Sequence, residues 1–246
     1  MGTQMKLTVY GNNATCPEKD GACSSFLLEF GNKKILIDMG SGSSAKIQRD
    51  IDIKQLDAII ISHLHFDHVA DLFCVKYMLE TRKAKEEDIP VISLFMPTLP
   101  EWASNELLTN DVFKHIEIKD NLTVSLFGAT ITFKQMVHLI ESYGLRVEYA
   151  GKRFAYTGDT GIFPGIVDLA RDVDLFLSEA TFPSNKSAEE GHHLSSASAA
   201  KIAKDANVKK LLLTHYHSED KEEILKEAKS IFENTELSVI GEGFTF

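Results

Sequence analysis

The chain has 246 residues, of which 43% are hydrophobic and 25% charged. This composition lies near the globular norm and excludes disordered, collagen-like and coiled-coil proteins. There are 26 Lys and Arg against 36 Asp and Glu, a formal net charge of −10. The mean field therefore repels polyanions, which disfavours a protein that coats duplex nucleic acid and requires a metal or local cationic group for any anionic ligand.

Strands dominate the first half of the chain and alternate with helices in the second half. The first half is predicted to contain strands over 7–10, 25–30, 34–38 and 58–62, a helix over 69–85, a strand over 91–96 and a helix over 102–108. Further strands are predicted over 113–118, 123–127 and 130–137, a hairpin over 146–156, and strands over 174–178, 210–213 and 237–240. Helices are predicted over 163–171, 195–206 and 221–233. Because no Ser-, Gly- or Pro-rich linker separates the halves, we expect one domain over residues 1–246 with helices outside two sets of strands.

Three cysteines, Cys16, Cys23 and Cys74, are an odd number without paired spacing. They predict reduced thiols, with neither a disulfide nor a zinc knuckle, and favour a cytoplasmic location. No apolar run approaches the roughly 18 residues of a membrane span, so no membrane association is expected. Phe95 and Trp102 could flank an apolar leaving group, but a core strand followed by a Pro-bounded turn is the favoured interpretation of their segment.

One segment concentrates metal-binding side chains directly after a predicted strand: His63-Leu64-His65-Phe66-Asp67-His68. His63 and His65 are two residues apart, so in an extended segment their imidazoles lie on the same side. Asp67 and His68 follow where the chain turns into the next helix. Imidazole and carboxylate groups suit zinc and similar divalent ions, and such a cluster can serve two metals.

This segment resembles the HxHxDH motif of the metallo-β-lactamase fold superfamily, and later residues resemble that family's landmarks in the same order. These are His138 at the end of a strand, Asp159 in Thr157-Gly158-Asp159-Thr160, and His215 after a strand. The resemblance implies a four-layer αββα sandwich. It also implies that His63, His65 and His138 bind one metal, that Asp67, His68 and His215 bind a second, and that Asp159 bridges both. A hydroxide between the metals would be the nucleophile, with Asp67 also orienting it.

The segments Glu179-Ala180-Thr181-Phe182 and Gly191-His192-His193-Leu194-Ser195 are similar to the end of ribonuclease Z and its phosphodiesterase relatives. In that branch a histidine before a Ser or Thr donates a proton to the leaving group. His193 fits this place best and His192 is the alternative. Glu179 could support the donor, although Ser178 stands where the family motif has a histidine.

The transfer-RNA-binding arm of ribonuclease Z is missing, because only residues 139–158 separate the third histidine from the bridging aspartate. We therefore expect a metal-dependent phosphodiesterase acting on a small or cyclic nucleotide-type substrate. A hydrolase of a carboxylic ester, thioester, lactone or β-lactam on the same metals, and a non-catalytic metal-binding or sensing protein, remain alternatives. Zinc is the expected metal, with manganese and iron left open, and a homodimer is an expectation from the family alone.

Overall fold

Two seven-stranded β-sheets form the centre of the molecule. The computed structural model describes residues 3–109, 111–186 and 191–246. The first sheet contains β1 (Met5–Gly11), β2 (Ser25–Phe30), β3 (Lys33–Ile37), β4 (Ala58–Ile60), β5 (Ile92–Met96) and β6 (Phe113–Glu117). The second contains β7 (Thr123–Leu126), β8 (Ala129–Gln135), β9 (Tyr143–Tyr149), β10 (Lys152–Tyr156), β11 (Leu175–Glu179), β12 (Leu211–Thr214) and β13 (Thr235–Leu237). The last strand, β14 (Gly243–Thr245), returns to the first sheet and pairs with β1.

The helices are inserted between strands of both sheets. They are α1 (Ser43–Ile47), α2 (Phe66–Ala84), α3 (Glu101–Leu108), α4 (Gly165–Ala170), α5 (Ser196–Asp205) and α6 (Lys221–Ile231). Two short 3₁₀ helices cover Ile53–Gln55 and Ser184–Lys186. None of the helices in the described ranges has both the length and the apolar character that crossing a membrane requires.

Three apolar clusters separate the layers of the fold. The central cluster joins side chains from both sheets, for example Phe26, Phe133 and Tyr156. A second fills the space between the first sheet and α1, α2 and α3, and a third fills the space between the second sheet and α4, α5 and α6. Because three buried interfaces require four layers, the structure confirms the predicted αββα sandwich.

Both faces of the central strands are therefore covered. All five residues of β11 and all four of β12 are buried, as expected for parallel strands between two helical or sheet layers. Strands β10, β11, β12 and β13 run parallel to one another, as do β3, β4, β5 and β6. The loops that follow these strands consequently meet along one edge of the sandwich.

Most predicted elements are found, with four differences. The predicted helix over 69–85 begins earlier, at Phe66, and the strand that precedes His138 ends at Gln135, so His138 lies in the following loop. Of the closing strand predicted over 237–240, only Leu237 lies in a strand: β13 ends there, and the chain then crosses to the first sheet, where β14 begins at Gly243. Helix α1 was not predicted, since its five residues carry too little apolar periodicity.

Candidate metal centre

The clustered motif follows strand β4 and extends into helix α2. His63 and His65 lie in the connecting segment, and Asp67 and His68 lie in the first turn of α2. His63 also forms an isolated bridge with Ser142, and the Tyr143 N–H donates to Ser62 O at 3.0 Å. These contacts hold the motif against the loop between β8 and β9 in the opposite sheet.

The three distant residues reach the same place from the second sheet. His138 lies in the loop between β8 and β9, Asp159 in the loop after β10, and His215 directly after β12. His215 has a backbone φ of 57°, an uncommon value for a residue with a side chain, and its imidazole is 1% exposed. The sharp turn at this position directs the ring towards the motif from α2.

Seven candidate ligands form two groups that share one carboxylate. One group contains His63, His65, His138 and Asp159, and the other contains Asp67, His68, Asp159 and His215. Within each group the nitrogen and oxygen atoms lie within 4.8 Å of one another. The structure therefore brings together the residues of each proposed metal site, with Asp159 between the two sets.

Distances in the first group are short between histidine nitrogens. His65 Nδ1 lies 3.1 Å from His63 Nε2 and 3.1 Å from His138 Nε2. The Asp159 Oδ2 atom is 3.7 Å from His63 Nε2. In the second group His215 Nε2 lies 3.1 Å from Asp67 Oδ2 and 3.3 Å from Asp159 Oδ2.

Two buried polar atoms of the second group have no hydrogen-bond partner within the described part of the chain. These atoms are His68 Nε2 and Asp159 Oδ1, and they face each other at 3.3 Å. A buried polar atom is normally hydrogen-bonded or coordinated, because leaving it unpaired is unfavourable. Their chemistry fits a divalent cation bound by imidazole and carboxylate.

In four of the histidine rings the nitrogen that faces away from the cluster, Nδ1, already forms a hydrogen bond. His68 Nδ1 lies 2.8 Å from Asp38 Oδ2, and His138 Nδ1 lies 3.1 Å from the carbonyl oxygen of His192, so both nitrogens donate. Ser62 donates its hydroxyl proton to Asp38 and Thr181 donates its proton to Glu179. Each hydroxyl is thus left to accept from a ring nitrogen, at 3.0 Å from His63 Nδ1 and 2.9 Å from His215 Nδ1.

These outer contacts fix the tautomers of the four rings. With Nδ1 protonated, the Nε2 lone pairs of His63, His68, His138 and His215 point into the cluster, which is the form that binds a metal. Hydrogen-bonded outer nitrogens are a regular feature of metal-binding histidines. The donor set therefore fits divalent metal ions by chemistry and by orientation.

The ionisation states of four of these residues agree with this interpretation, whereas His68 is a cation in the metal-free protein. Burial lowers the pKa of His68, but the carboxylates of Asp159, Asp38 and Asp67 outweigh it and raise that pKa, so His68 must release a proton before it binds a metal. Burial, with His68 beside it, holds the pKa of His63 well below its usual value, and burial lowers the pKa of His138 to about 4. Burial alone would raise the pKa of Asp67 and Asp159, but the neighbouring His68 and His215 outweigh it and keep both values low. Neutral imidazole and ionised carboxylate are the forms that coordinate metals.

Asp38 is a buried carboxylate that connects the cluster to the core. It is fully buried with a backbone φ of 58°. It accepts hydrogen bonds from the Ser62 N–H at 2.7 Å, from His68 Nδ1 at 2.8 Å and from the Tyr156 hydroxyl at 2.9 Å. Asp38 thereby orients His68 and links the two sheets beneath the site.

A second histidine–carboxylate group lies beside the seven candidate ligands. His193 Nδ1 is 3.2 Å from both carboxylate oxygens of Glu179, and its ring stacks on His215 with centroids 5.4 Å apart. Burial lowers the pKa of His193, but the hydrogen bond and charge of Glu179 raise it more, to about 9. His193 is therefore an imidazolium at neutral pH.

The neighbouring His192 contributes differently. Its carbonyl oxygen accepts from His138 Nδ1, whereas its own Nδ1 is buried without a hydrogen-bond partner among the described residues. The ring that faces Glu179 and His215 belongs to His193, as the sequence register favoured.

Sequence reasoning missed two supporting residues. Asp38 ends a predicted strand and carried no signal of its own, since a single Asp after a strand is common in turns. Thr181 belongs to the quoted Glu-Ala-Thr segment but was given no role. Its hydroxyl lies between Glu179 and His215, so it connects the two histidine groups.

Sequence comparison assigns the chain to a family and identifies relatives that match it over nearly its whole length. A family model described as the beta-lactamase superfamily domain matches residues 33–216, and the chain belongs to that superfamily. The chain is 27% identical over 243 residues to the probable metallo-hydrolase YhfI of Bacillus subtilis, covering 98% of this chain and 99% of that protein. It is 25% identical over 298 residues to ribonuclease Z of Archaeoglobus fulgidus, covering 97% and 96% of the two chains.

Solved structures show the same fold over the whole chain. The crystal structure of Bacillus subtilis YhfI matches with a TM-score of 0.91 and 26% identity over 100% of both chains. A diphosphatase from the PhnP family matches with a TM-score of 0.77 and 20% identity over 98% of both chains, a likeness in fold. The resemblance inferred from the sequence is confirmed: the chain is a metallo-β-lactamase-fold homologue of metallo-hydrolases and of ribonuclease Z.

Proposed function

We propose that the protein hydrolyses a phosphodiester bond of a small, nucleotide-type substrate, cyclic ones included. The observation that carries this proposal is the pair of ligand groups sharing Asp159, with an imidazolium beside them. The relative described as ribonuclease Z supports a phosphate ester over other substrates. In this chain the hairpin β9–β10 occupies residues 143–156, which leaves no room between His138 and Asp159 for a transfer-RNA-binding arm.

We further propose that the two groups hold two divalent ions, with zinc preferred. His63, His65 and His138 would hold one ion, Asp67, His68 and His215 the other, and Asp159 both. Ions at these positions would supply a nucleophile at neutral pH and would stabilise negative charge that develops on the phosphate oxygens.

The chain's own residues handle protons and orientation. Asp67 accepts a hydrogen bond from the Thr15 N–H at 2.9 Å, which fixes its carboxylate where it can orient the attacking water. Glu179 engages Nδ1 of His193, which leaves the Nε2 proton of His193 for the leaving oxygen. An alkoxide leaving group needs that proton, whereas a phenolate activated by a nitro group needs it much less.

This difference provides the test. We expect hydrolysis of bis(4-nitrophenyl) phosphate and of a cyclic nucleotide by the zinc-loaded protein. His193→Ala should retain metal and lose cyclic-nucleotide turnover by about 100-fold or more, the usual contribution of a general acid. Loss on bis(4-nitrophenyl) phosphate should be smaller.

His192→Ala is the matched control, because it removes the neighbouring ring and keeps the carbonyl that holds His138. Equal turnover by His193→Ala and wild type on the cyclic nucleotide would reject the proton-donor role. Preference for an ester, thioester, lactone or β-lactam would displace the phosphodiesterase proposal. No hydrolysis of any of these by a fully metallated sample would favour a binding or sensing protein.

We also propose that residues 1–246 form a single domain. Strand β14 near the carboxyl end pairs with β1 near the amino end, with Lys6 opposite Thr245. The candidate ligands come from both sheets, so neither half carries a full set.

A further inference from the structure

Large apolar side chains are exposed close to the candidate metal centre. Of the ten that the described residues expose, four lie within three residues of a candidate ligand and a fifth contacts one of those four. We call these five side chains the apolar rim: Phe66, Trp102, Val137, Leu139 and Ile162. Exposed apolar groups concentrated at one site mark a binding surface rather than ordinary surface scatter.

One side of the rim is aromatic. Phe66 lies between the candidate ligands His65 and Asp67 and is 62% exposed. Its ring centroid is 5.5 Å from that of Trp102, which is itself 53% exposed. Trp102 in turn stacks on Phe73 of α2 with an interplanar angle of 8°. The core strand and Pro-bounded turn expected for this segment are found, with Phe95 buried in β5, but Trp102 lies in α3 and is exposed.

The other side of the rim is aliphatic and firmly placed. Val137 and Leu139 flank His138, and the Gly161 N–H donates to Val137 O at 2.7 Å, which sets Ile162 beside them. A Cβ at Gly161 would lie 1.5 Å from the Gly191 carbonyl oxygen, so this loop packs directly on the segment that carries His193. Both sides of the rim are therefore tied to loops that carry site residues.

In the portion of the chain that the structure describes, the charged side chains at the centre interact with one another and not with Lys or Arg residues that could contact the sugar or base of a nucleotide. Among the described residues, the ion pairs of Asp38, Asp67, Asp159 and Glu179 are all with histidine and none is with Lys or Arg. Ions at the centre would account for a phosphate. The apolar rim is the exposed surface beside them, and its chemistry fits an uncharged part of the substrate.

We propose that the apolar rim binds a flat aromatic group of the substrate, of the size of a nucleobase, with Phe66 and Trp102 as its stacking partners. This inference rests on the proposed function for the location of the phosphate, and it defines the substrate class more narrowly. Stacking of a base on a protein aromatic ring tolerates any base, because each has a π-face. The rim therefore selects for an aromatic group and discriminates little among bases.

Trp102 supplies a direct probe of this binding. It is the only tryptophan of the chain, so its fluorescence reports on the rim alone. Adenosine 5′-monophosphate and ribose 5-phosphate form a matched pair of ligands that share the phosphate and sugar and differ in the base. With the zinc-loaded protein, we expect the first to quench Trp102 fluorescence and the second to leave it unchanged.

Calorimetric titration of the same two ligands tests the residues. Phe66→Ala and Trp102→Ala should each weaken adenosine 5′-monophosphate binding by about ten-fold, within the range measured for base–aromatic stacking. Ribose 5-phosphate binding should stay the same, and Phe66→Tyr should restore the wild-type value. Tyr77→Ala is the control. Like Phe66, Tyr77 is an exposed aromatic residue of α2, and it lies about 16 Å from Phe66 along the helix axis.

Three results would overturn the inference. The first is that the wild type binds adenosine 5′-monophosphate and ribose 5-phosphate with equal affinity. The second is that Phe66→Ala weakens the binding of both ligands equally, and the third is that the wild type binds neither ligand. A change in molecular mass by light scattering in Phe66→Ala with unchanged nucleotide affinity would identify the rim as a contact between two copies instead. Because these titrations need no turnover, base-dependent binding without hydrolysis of any phosphodiester would retain the rim and reject the proposed function.

Discussion

Replacing Glu179 with glutamine removes the negative charge that faces the proposed proton donor. The Glu179 carboxylate lies 3.2 Å from His193 Nδ1 and also accepts from the Thr160 N–H at 2.6 Å and from the Thr181 hydroxyl. Glutamine has the same shape and retains one acceptor oxygen. The substitution therefore changes the charge at His193 with little change in packing.

The expected magnitude follows from the causes of the His193 pKa. Burial lowers that pKa, and Glu179 provides the largest opposing contribution that brings it to about 9. Without the Glu179 charge, the pKa of His193 should fall to about 6.5, the unperturbed value, or below it. The imidazolium is present below its pKa and lost above it, so the acid form should disappear near pH 6.5 rather than near pH 9. At pH 7.5 this change alone lowers the protonated fraction about ten-fold.

The assay is the pH profile of kcat for cyclic-nucleotide hydrolysis between pH 5.5 and pH 10. We expect the alkaline limb to lie near pH 9 in the wild type and near or below pH 6.5 in Glu179→Gln. The rate difference should shrink as the pH falls, because both proteins then hold the proton. For bis(4-nitrophenyl) phosphate the profiles should differ less, since its leaving group needs less protonation.

A rate loss in Glu179→Gln that is the same at every pH would refute this reasoning. It would show that Glu179 acts by positioning the loop rather than by charge. Zinc content should be measured for both proteins, because loss of metal would also lower the rate at all pH values.

Three further outcomes are expected. In Gly40→Ala a Cβ would lie 2.0 Å from the Asp67 carbonyl oxygen, so the first turn of α2 must shift. Zinc titration of this variant should show at least about ten-fold weaker binding. An unchanged zinc affinity would contradict the close packing. Asp38→Ala leaves His68 and the Tyr156 hydroxyl without their buried acceptor, which should lower the free energy of unfolding by about 3 kcal/mol in urea titrations. Chelation of metal should lower the Tm, because zinc at 100 times its Kd stabilises the folded state by about 2.7 kcal/mol, and a Tm independent of zinc would argue against binding to the native site.

Most strands and helices were predictable because they carry clear periodicity, whereas the αββα arrangement was expected from the family resemblance. The hairpin over 146–156 and the alternation of helices and strands after it were read from apolar spacing and Gly151, and the structure contains them as β9, β10 and the elements that follow. The crossing of the chain from β13 to β14 was not predictable. It depends on β14 pairing with β1, a contact between the two ends of the chain that no local pattern records.

The candidate site was predictable to a different degree in its different parts. The four candidate ligands between His63 and His68 were identified from their spacing alone. His138, Asp159 and His215 were identified only because they occur in the order that the family resemblance implies. The supporting contacts could not be predicted from the sequence, since the hydrogen bond between the Tyr156 hydroxyl and Asp38 joins residues of different sheets. The exposure of Trp102 was likewise not predictable, because the sequence places it at the start of a predicted helix without showing which side of that helix faces solvent.

The central claim is that two cations are bound on either side of Asp159. A crystal structure of the zinc-loaded protein, with anomalous difference maps recorded on both sides of the zinc absorption edge, tests it most directly. We expect two anomalous peaks, one bound by His63, His65 and His138 and one by Asp67, His68 and His215, with Asp159 touching both. A single peak, or peaks that leave Asp159 uncoordinated, would contradict the account.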